Sequence, residues 1–199
     1  MKFSIKTYFI NESDLNKYAR MKEWRLLTRG LKMDIKCNQT LAVSLHRVFN
    51  ADLNEHGTVF GGRILELVDG EASVAAMRVT RSTVVTAAMD HVQFLKPFKL
   101  QDSMCMEAYV TGVGHRSLEV FVKVIGEHLM TGERFLGFTC FMTYVIQDPN
   151  TEIKYDRVIP ENDEQRSMVT GYETRRQHRK DNRGKQEQII NAISTHKPW

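Results

Sequence analysis

The stretch "NEHGTVFGGRILELVDGEAS", residues 54–73, decides the fold. Loop-forming residues lead to two glycines, Gly61 and Gly62, and apolar residues then recur at the spacing of a helix. The apolar stripe consists of Ile64, Leu65, Val68, Ala72, Ala75 and Ala76. The pattern predicts a helix over residues 62–79 that is buried on most of its sides.

Strand patterns lie on both sides of this helix. The run "TLAVSLHRVF" (40–49) before it is rich in β-forming residues. Four further strand-like runs follow the helix at 82–95, 103–114, 116–129 and 133–148. Their short links carry turn residues, which favours an antiparallel meander. One helix against one antiparallel sheet is an α+β architecture, and a helix buried on most sides fits a sheet wrapped round it.

The charge of the 199-residue chain is unevenly distributed around its net value of +4. Residues 1–36 carry nine basic and four acidic residues, whereas residues 37–160 carry eleven basic and fourteen acidic residues. We predict a basic N-terminal extension (1–36), a single domain (37–160) and a helical C-terminal tail (161–199). One interpretation of residues 1–32 is an appendage or translated sequence upstream of a start at Met33, and the other is an added regulatory or docking element. Because the central domain is acidic, it lacks the concentrated basic surface of a nucleic-acid reader.

The cysteines and the hydropathy pattern bear on the compartment. The chain has three cysteines, Cys37, Cys105 and Cys140, none of them in CxxC spacing, and an odd number favours a reducing compartment. No run of about 18 apolar residues exists, and the N-terminus lacks the pattern of a secretory signal. We therefore expect a cytoplasmic protein without a membrane partner. The histidines lack ligand-like spacing, so no metal is expected.

The two glycines at the predicted helix start are a candidate binding element. A helix N-terminus presents unpaired N–H groups and the positive end of the helix dipole. Glycines let a ligand approach that backbone closely, so Gly61 and Gly62 could stabilise an oxyanion formed from a carbonyl group. A plain tight turn is the alternative interpretation.

Three acidic residues of the predicted helix are candidates for acid–base chemistry. Asp69 lies at the edge of the apolar stripe, Glu71 lies inside the apolar sector, and Glu66 is the third. Periodicity alone does not choose among them. A carboxylate beside apolar surface can act as a general base for water or as a nucleophile, and the alternative for each is an exposed or salt-bridged side chain.

Three stretches together resemble one known family. "DLNEHGTVFGGRILELVDGEA", "VVTAAMDHVQFLKPF" and "GVGHRSLEVFVKV" are similar to the acyl-CoA hydrolase branch of the hot-dog thioesterases, over roughly residues 37–150. The resemblance implies one hot-dog domain, an antiparallel sheet wrapped round a central helix. It also implies that Asp69 is the catalytic carboxylate, that Asn54 holds the water or polarises the carbonyl, and that Thr86 supports the same site.

The resemblance extends to assembly and to CoA binding. It implies a dimer or a trimer of dimers, in which Asn54 and Asp69 face each other from different chains. Arg116 and Ser117 match a loop near the nucleotide of CoA, and Lys96 is a further candidate for a phosphate contact. The alternative for each is a solvated turn residue.

The sequence therefore predicts an acyl-CoA thioesterase that releases a fatty acid and CoA by Asp69-assisted attack of water. Gly61, Gly62 and Asn54 would stabilise the oxyanion, His56 would structure the loop or contact the substrate, and no cofactor is expected because CoA is part of the substrate. One alternative is an acyl-CoA-binding sensor or transcriptional regulator without hydrolytic activity. Another is a dehydratase of the same fold, for which His56 is the nearby candidate.

Overall fold

The computed structural model describes residues 33–196. Their elements are β1 (Asp34–Lys36), α1 (Cys37–Thr40), β2 (Ala42–Arg47), α2 (Gly61–Thr80), β3 (Val84–Phe94), β4 (Asp102–Val113), β5 (Ser117–His128), β6 (Glu133–Ile146), β7 (Arg157–Ile159), α3 (Asp163–Thr170) and α4 (Tyr172–Ala192). A short 3₁₀ turn, Asn50–Asp52, lies between β2 and α2.

The core lies between α2 and a five-stranded antiparallel sheet of order β2-β4-β5-β6-β3. Four residues of α2, namely Val68, Ala72, Ala75 and Ala76, have no exposed surface. The three alanines let the helix backbone approach the sheet closely, so the apolar stripe predicted from the sequence becomes the buried face. The α+β prediction is confirmed, and the sheet wraps round the central helix as the hot-dog resemblance implies.

The strands were predicted closely. Each of the five strands of the large sheet lies within two residues of its predicted ends. Alternate residues of the three central strands point inward and are buried, as the two-residue period of a strand requires. The inward residues include Met104, Met106, Ala108, Val120, Val122, Val124, Phe138, Cys140 and Met142.

The parallel pair β1–β7 and the one-turn helix α1 were not predicted. Asp34 pairs with Arg157 in the strand register, and the Arg157 guanidinium donates to both carboxylate oxygens of Asp34 at 3.0 and 2.9 Å. This pairing includes residues on the N-terminal side of the predicted boundary at 37. The predicted basic extension, except for residues 33–36, lies outside the described residues.

The predicted C-terminal helical extension is confirmed as α3 and α4, which pack on the outer face of the sheet. Asn162 caps α3 by accepting a hydrogen bond from the Gln165 N–H at 2.8 Å. On α4, Arg175 donates to the fully buried carboxylate of Glu119 at 2.7 Å, and Arg179 lies at the same distance from it. These buried ion pairs anchor the start of α4, whereas residues 180–196 are exposed.

Strand β3 forms one edge of the sheet. Among the described strands it pairs only with β6, so its other edge is unpaired over eleven residues. Its register with β6 shifts twice, and His91 at the second shift has φ of 51°. A long unpaired edge strand is a surface on which another chain can add a strand.

Candidate active site

Asp69 and Thr86 form a hydrogen-bonded pair beside the unpaired edge of β3. Asp69 lies two turns into α2, and Thr86 lies near the start of β3. The Thr86 hydroxyl donates to Asp69 Oδ1 at 2.6 Å, and both residues are exposed. A short hydrogen bond to an ionised carboxylate is strong and directional. It occupies one oxygen of Asp69 and leaves Oδ2 open to a water or a substrate.

Tyr144, which the sequence did not indicate as a site residue, contacts both members of this pair. The Tyr144 hydroxyl donates to the backbone carbonyl of Asp69 at 3.0 Å, and the residue is 1% exposed. Tyr144 is also the strand partner of Thr86. Burial raises the pKa of Tyr144, so its hydroxyl stays protonated and remains a donor at neutral pH. In the sequence this tyrosine lies within an apolar strand run, where nothing distinguishes it from an ordinary core aromatic.

The structure separates the three acidic candidates of the helix. Glu66 forms an exposed ion pair with Arg63 at 2.8 Å. Glu71 is half-buried and makes no hydrogen bond or ion pair within residues 33–196. Only Asp69 among the three is oriented by a neighbouring hydroxyl, which favours it as the base.

Asn54 organises the loop before the helix. Its Oδ1 accepts hydrogen bonds from the backbone N–H of His56 at 2.9 Å and of Thr58 at 3.2 Å, and from the Thr58 hydroxyl at 3.2 Å. Gly57 at the loop tip has φ of 72°, in the left-handed region that glycine adopts without strain. The Asn54 Nδ2 group has no partner within the described part of the chain, so it is available as a donor.

His56 lies at the exposed tip of the same loop. Its backbone, rather than its ring, makes the contact with Asn54, and its Nε2 lies 3.3 Å from the Glu55 carboxylate. A role in structuring the loop fits this geometry, and a substrate contact stays a prediction.

The start of α2 presents backbone donors to a cavity. Helix α2 begins at Gly61 with Phe60 as its N-cap, and no side chain caps it. Within the described residues the N–H groups of Gly61 and Gly62 have no partner, since the first intrahelical bonds come from Arg63 and Ile64. An added Cβ at Gly62 would lie 2.5 Å from the Phe60 ring, so a larger residue here would have to displace the exposed Phe60 side chain.

The cavity has a volume of about 280 Å³ and an apolar lining with one amine, that of Lys96. It is lined by Val59, Gly61, Ile64, Phe94, Leu95, Lys96, Pro97 and Phe98. An apolar site of this kind with a single cation and a helix start can accept a flexible chain that carries one carbonyl group.

Arg116 and Ser117 lie at the other end of the sheet, where β5 begins. Arg116 Nη2 donates to the backbone carbonyls of Ile146 and Asp148, both at 3.1 Å. Its Nε is buried and has no partner within the described residues. These bonds tie the start of β5 to the end of β6, so Arg116 has a structural role here, and its predicted phosphate contact stays untested.

The predicted site residues form two separate groups in one chain. Asp69 and Thr86 form the first, and Gly61 and Lys96, which line the cavity, form the second, with Asn54 in the loop that leads to Gly61. Asp69 follows Gly61 by eight residues, which corresponds to roughly 12 Å along the helix axis. A base, its water, a carbonyl and an oxyanion donor follow one another in contacts of about 3 Å each, so the backbone separation of the two groups exceeds the sum of three such contacts.

Two features are absent from residues 33–196, a candidate metal site and a helix able to span a membrane. No three side chains of His, Cys, Asp or Glu lie together in a way that could hold a metal ion. No helix in this part of the chain has both the length and the apolar character needed to cross a bilayer.

Comparison with known proteins identifies the family. A family model for the thioesterase superfamily matches residues 56–133. A Bacillus subtilis relative named as an uncharacterized acyl-CoA thioester hydrolase, YkhA, is 45% identical over 164 residues, which are 82% of this chain and 95% of the relative. The chain therefore belongs to the thioesterase superfamily, in its acyl-CoA thioester hydrolase family.

Solved structures agree with this assignment. An acyl-CoA hydrolase from Bacillus cereus has a TM-score of 0.76 and 35% identity, with 82% of this chain and 99% of that chain covered. The Staphylococcus aureus acyl-CoA hydrolase, in complex with butyryl-CoA, CoA and CoA disulfide, has a TM-score of 0.73 and 30% identity, with 79% and 97% covered. Alanine variants of one aspartate, one asparagine and one threonine of that enzyme have also been solved. A hexameric acyl-CoA thioesterase has a TM-score of 0.70 and 32% identity, with 75% and 97% covered.

Proposed function

We propose that this enzyme hydrolyses acyl-CoA to a free carboxylic acid and CoA, with Asp69 as the base that activates water. The observation that carries the mechanism is the Thr86–Asp69 hydrogen bond of 2.6 Å beside the unpaired edge of β3. It orients the carboxylate through one oxygen, beside the edge on which a second copy could pair.

The reaction follows from the donors and acceptors present. Asp69 Oδ2 takes a proton from water while the water oxygen forms a bond to the thioester carbonyl carbon. The N–H groups of Gly61 and Gly62 and the Asn54 amide donate to the resulting oxyanion. When the intermediate collapses, the C–S bond breaks, and the departing CoA sulfur takes the proton held by Asp69. No cofactor is required, because CoA belongs to the substrate.

We further propose that each site is built from two copies of the chain. The backbone separation of the two groups within one copy exceeds the sum of the three contacts that one reacting carbonyl requires, and the unpaired β3 edge next to Thr86 offers a surface for antiparallel pairing with a second β3. Such pairing would bring Asp69 of one copy towards Asn54 and the helix start of the other. The hexameric relative supports a homo-oligomer, either a dimer or a trimer of dimers.

The sequence spacing of Asn54, Asp69 and Thr86 independently supports their proposed roles. In the alanine variants of the S. aureus enzyme, the replaced asparagine precedes the replaced aspartate by 15 positions, and the threonine follows it by 17. Asn54, Asp69 and Thr86 have the same two spacings in this chain. Equal spacing supports equivalent places in the fold.

The CoA moiety is proposed to contact Lys96 beside the cavity, and Arg116 and Ser117 at the start of β5. Because Arg116 Nη2 already donates hydrogen bonds to two backbone carbonyls, Lys96 is the stronger candidate for a phosphate contact. A cytoplasmic location is also proposed, since acyl-CoA is an intracellular substrate class and the described cysteines are all unpaired.

Complementation between two inactive variants tests the shared site. Asn54→Ala and Asp69→Ala are purified separately, then unfolded, mixed and refolded together, and CoA release from short, medium and long acyl-CoAs is followed by chromatography. A mixed dimer has one intact site if the site is shared, so activity should return to a substantial fraction of the wild-type rate.

The matched control is each variant refolded alone, which should stay inactive. A mixture as inactive as its components would contradict the shared site. Wild-type protein that binds acyl-CoA but hydrolyses none of the panel would contradict the enzymatic proposal and favour the sensor.

A further inference from the structure

Asp52 is a buried carboxylate that joins three elements next to the site. It is 5% exposed and is the last residue of the 3₁₀ turn. Its Oδ1 accepts from Arg63 Nε at 3.0 Å, on the first turn of α2. Its Oδ2 accepts from the Phe49 N–H at 2.9 Å and lies 2.8 Å from Nε2 of His46, on β2.

The backbone of Asp52 closes the loop that carries Asn54. The Phe60 N–H donates to the Asp52 carbonyl at 2.9 Å, and Leu53 forms a bridge with Val59. These contacts therefore hold both ends of segment 53–60 next to Asp52. Asn54 lies at one end of this segment, and Gly61 follows directly after the other.

The Asp52 carboxylate stays ionised in this position. Burial raises the pKa of the Asp52 carboxyl, but the three hydrogen-bond donors around it outweigh that effect, and the pKa lies below its usual value. A neutral amide in its place would keep the shape of the side chain and weaken every one of these charge-assisted bonds.

We propose that Asp52 is a positioning residue for hydrolysis, whose carboxylate clamps the Asn54 loop and the first turn of α2 into one rigid unit. In that unit the Asn54 amide and the N–H groups of Gly61 and Gly62 meet the same carbonyl oxygen. This inference rests on the proposed role of Asn54. Misplacing donors by a fraction of an ångström lowers the rate, while the CoA contacts elsewhere are retained.

A purely structural role predicts a different result, and the chain offers a matched control. Asp102 is equally buried, at 4% exposed, and it also accepts from a backbone N–H (Lys99, 2.8 Å) and lies against a histidine (His128 Nδ1, 2.7 Å). Among the described residues its carboxylate makes no hydrogen bond or ion pair with segment 53–60 or with α2, and its link to that segment runs through Lys99, which forms a bridge with Thr58. Asp102→Asn therefore reports the general cost of neutralising a buried aspartate.

The test is a double-mutant cycle on acyl-CoA hydrolysis by the full chain. Asp52→Asn, Asn54→Ala and the double variant are compared for kcat, KM and unfolding temperature, beside Asp102→Asn in both backgrounds. We expect Asp52→Asn to lower kcat roughly 10-fold or more with KM within about 3-fold, and to lower it less than about 3-fold further when Asn54 is already alanine. Asp102→Asn should lower kcat by the same factor in both backgrounds.

Other outcomes overturn the inference in distinguishable ways. If the losses of kcat caused by Asp52→Asn and Asn54→Ala multiply in full in the double variant, Asp52 does not act through Asn54. If Asn54→Ala alone leaves kcat unchanged, the proposed role of Asn54 fails, and the inference fails with it. Should Asp52→Asn not fold, Arg63→Gln removes one side of the clamp from a partly exposed position and must show the same non-additivity.

Discussion

Replacing Thr86 by valine tests the hydrogen bond that orients the base. Valine keeps the shape of threonine but removes the hydroxyl that donates to Asp69 Oδ1 at 2.6 Å. A hydrogen bond to a charged group contributes about 1.5–3 kcal/mol, and solvent access at this exposed pair reduces that to about 1–2 kcal/mol. If this energy is expressed in the transition state, kcat should fall roughly 5- to 30-fold.

The assay is steady-state CoA release, and Thr143→Val is the matched control. Thr143 lies on β6 opposite Ala88, and its hydroxyl is buried without a partner in the described part of the chain. Its replacement should leave kcat unchanged and leave the free energy of unfolding equal or higher, because an unpaired polar atom is removed. Equal losses of kcat in both variants, or no loss in Thr86→Val, would refute the reasoning.

Three further predictions concern stability and reactivity. Glu119→Gln leaves Arg175 without its buried counter-charge, so the free energy of unfolding should fall by about 3–5 kcal/mol. The unfolding temperature should then fall by roughly 6–20 °C. An unchanged calorimetric transition would contradict the role of this ion pair in anchoring α4. Burial raises the pKa of the Cys37 and Cys140 thiols to about 12, so a thiol reagent at pH 8 should leave both unmodified in the folded protein and modify them after unfolding. Folding lowers the pKa of the Asp52 carboxyl from 3.8, so the ionised carboxylate stabilises the fold above that pH. This contribution is lost as the pH falls through the pKa that the carboxyl has in the folded state. The gap in unfolding temperature between wild type and Asp52→Asn should therefore close below about pH 4, and a gap that persists in acid would contradict the lowered pKa.

The main elements of the fold were predictable because their patterns are long. The stripe of α2 runs from Ile64 to Ala76, over roughly three turns, and the four strands after the helix have eleven or more residues each, so each period is visible in the sequence. The parallel pair β1–β7 has three residues on each strand, too few to show a period, and its partners are more than 120 residues apart. Such pairings depend on the finished fold rather than on local pattern.

The site was predictable only in part. Periodicity left Asp69, Glu71 and Glu66 open, and the resemblance chose Asp69; the Thr86 hydroxyl supplies the physical reason, which appears only when helix and strand meet. The sequence did not indicate Asp52 and Tyr144 as site residues for the same reason, because their contacts form only in the folded protein. A polar loop residue and an aromatic strand residue reveal their partners only through tertiary contacts.

The most direct measurement of the central proposal is kcat for acyl-CoA hydrolysis in Asp69→Asn, compared with Glu66→Gln on the same helix. Both variants neutralise one carboxylate, but Glu66 lies in an exposed ion pair with Arg63. We predict a loss of roughly 100-fold or more for Asp69→Asn at an unchanged unfolding temperature, and a change within about 2-fold for Glu66→Gln. Turnover that survives in folded Asp69→Asn would contradict the assignment of Asp69 as the base and would make Glu71 the next candidate.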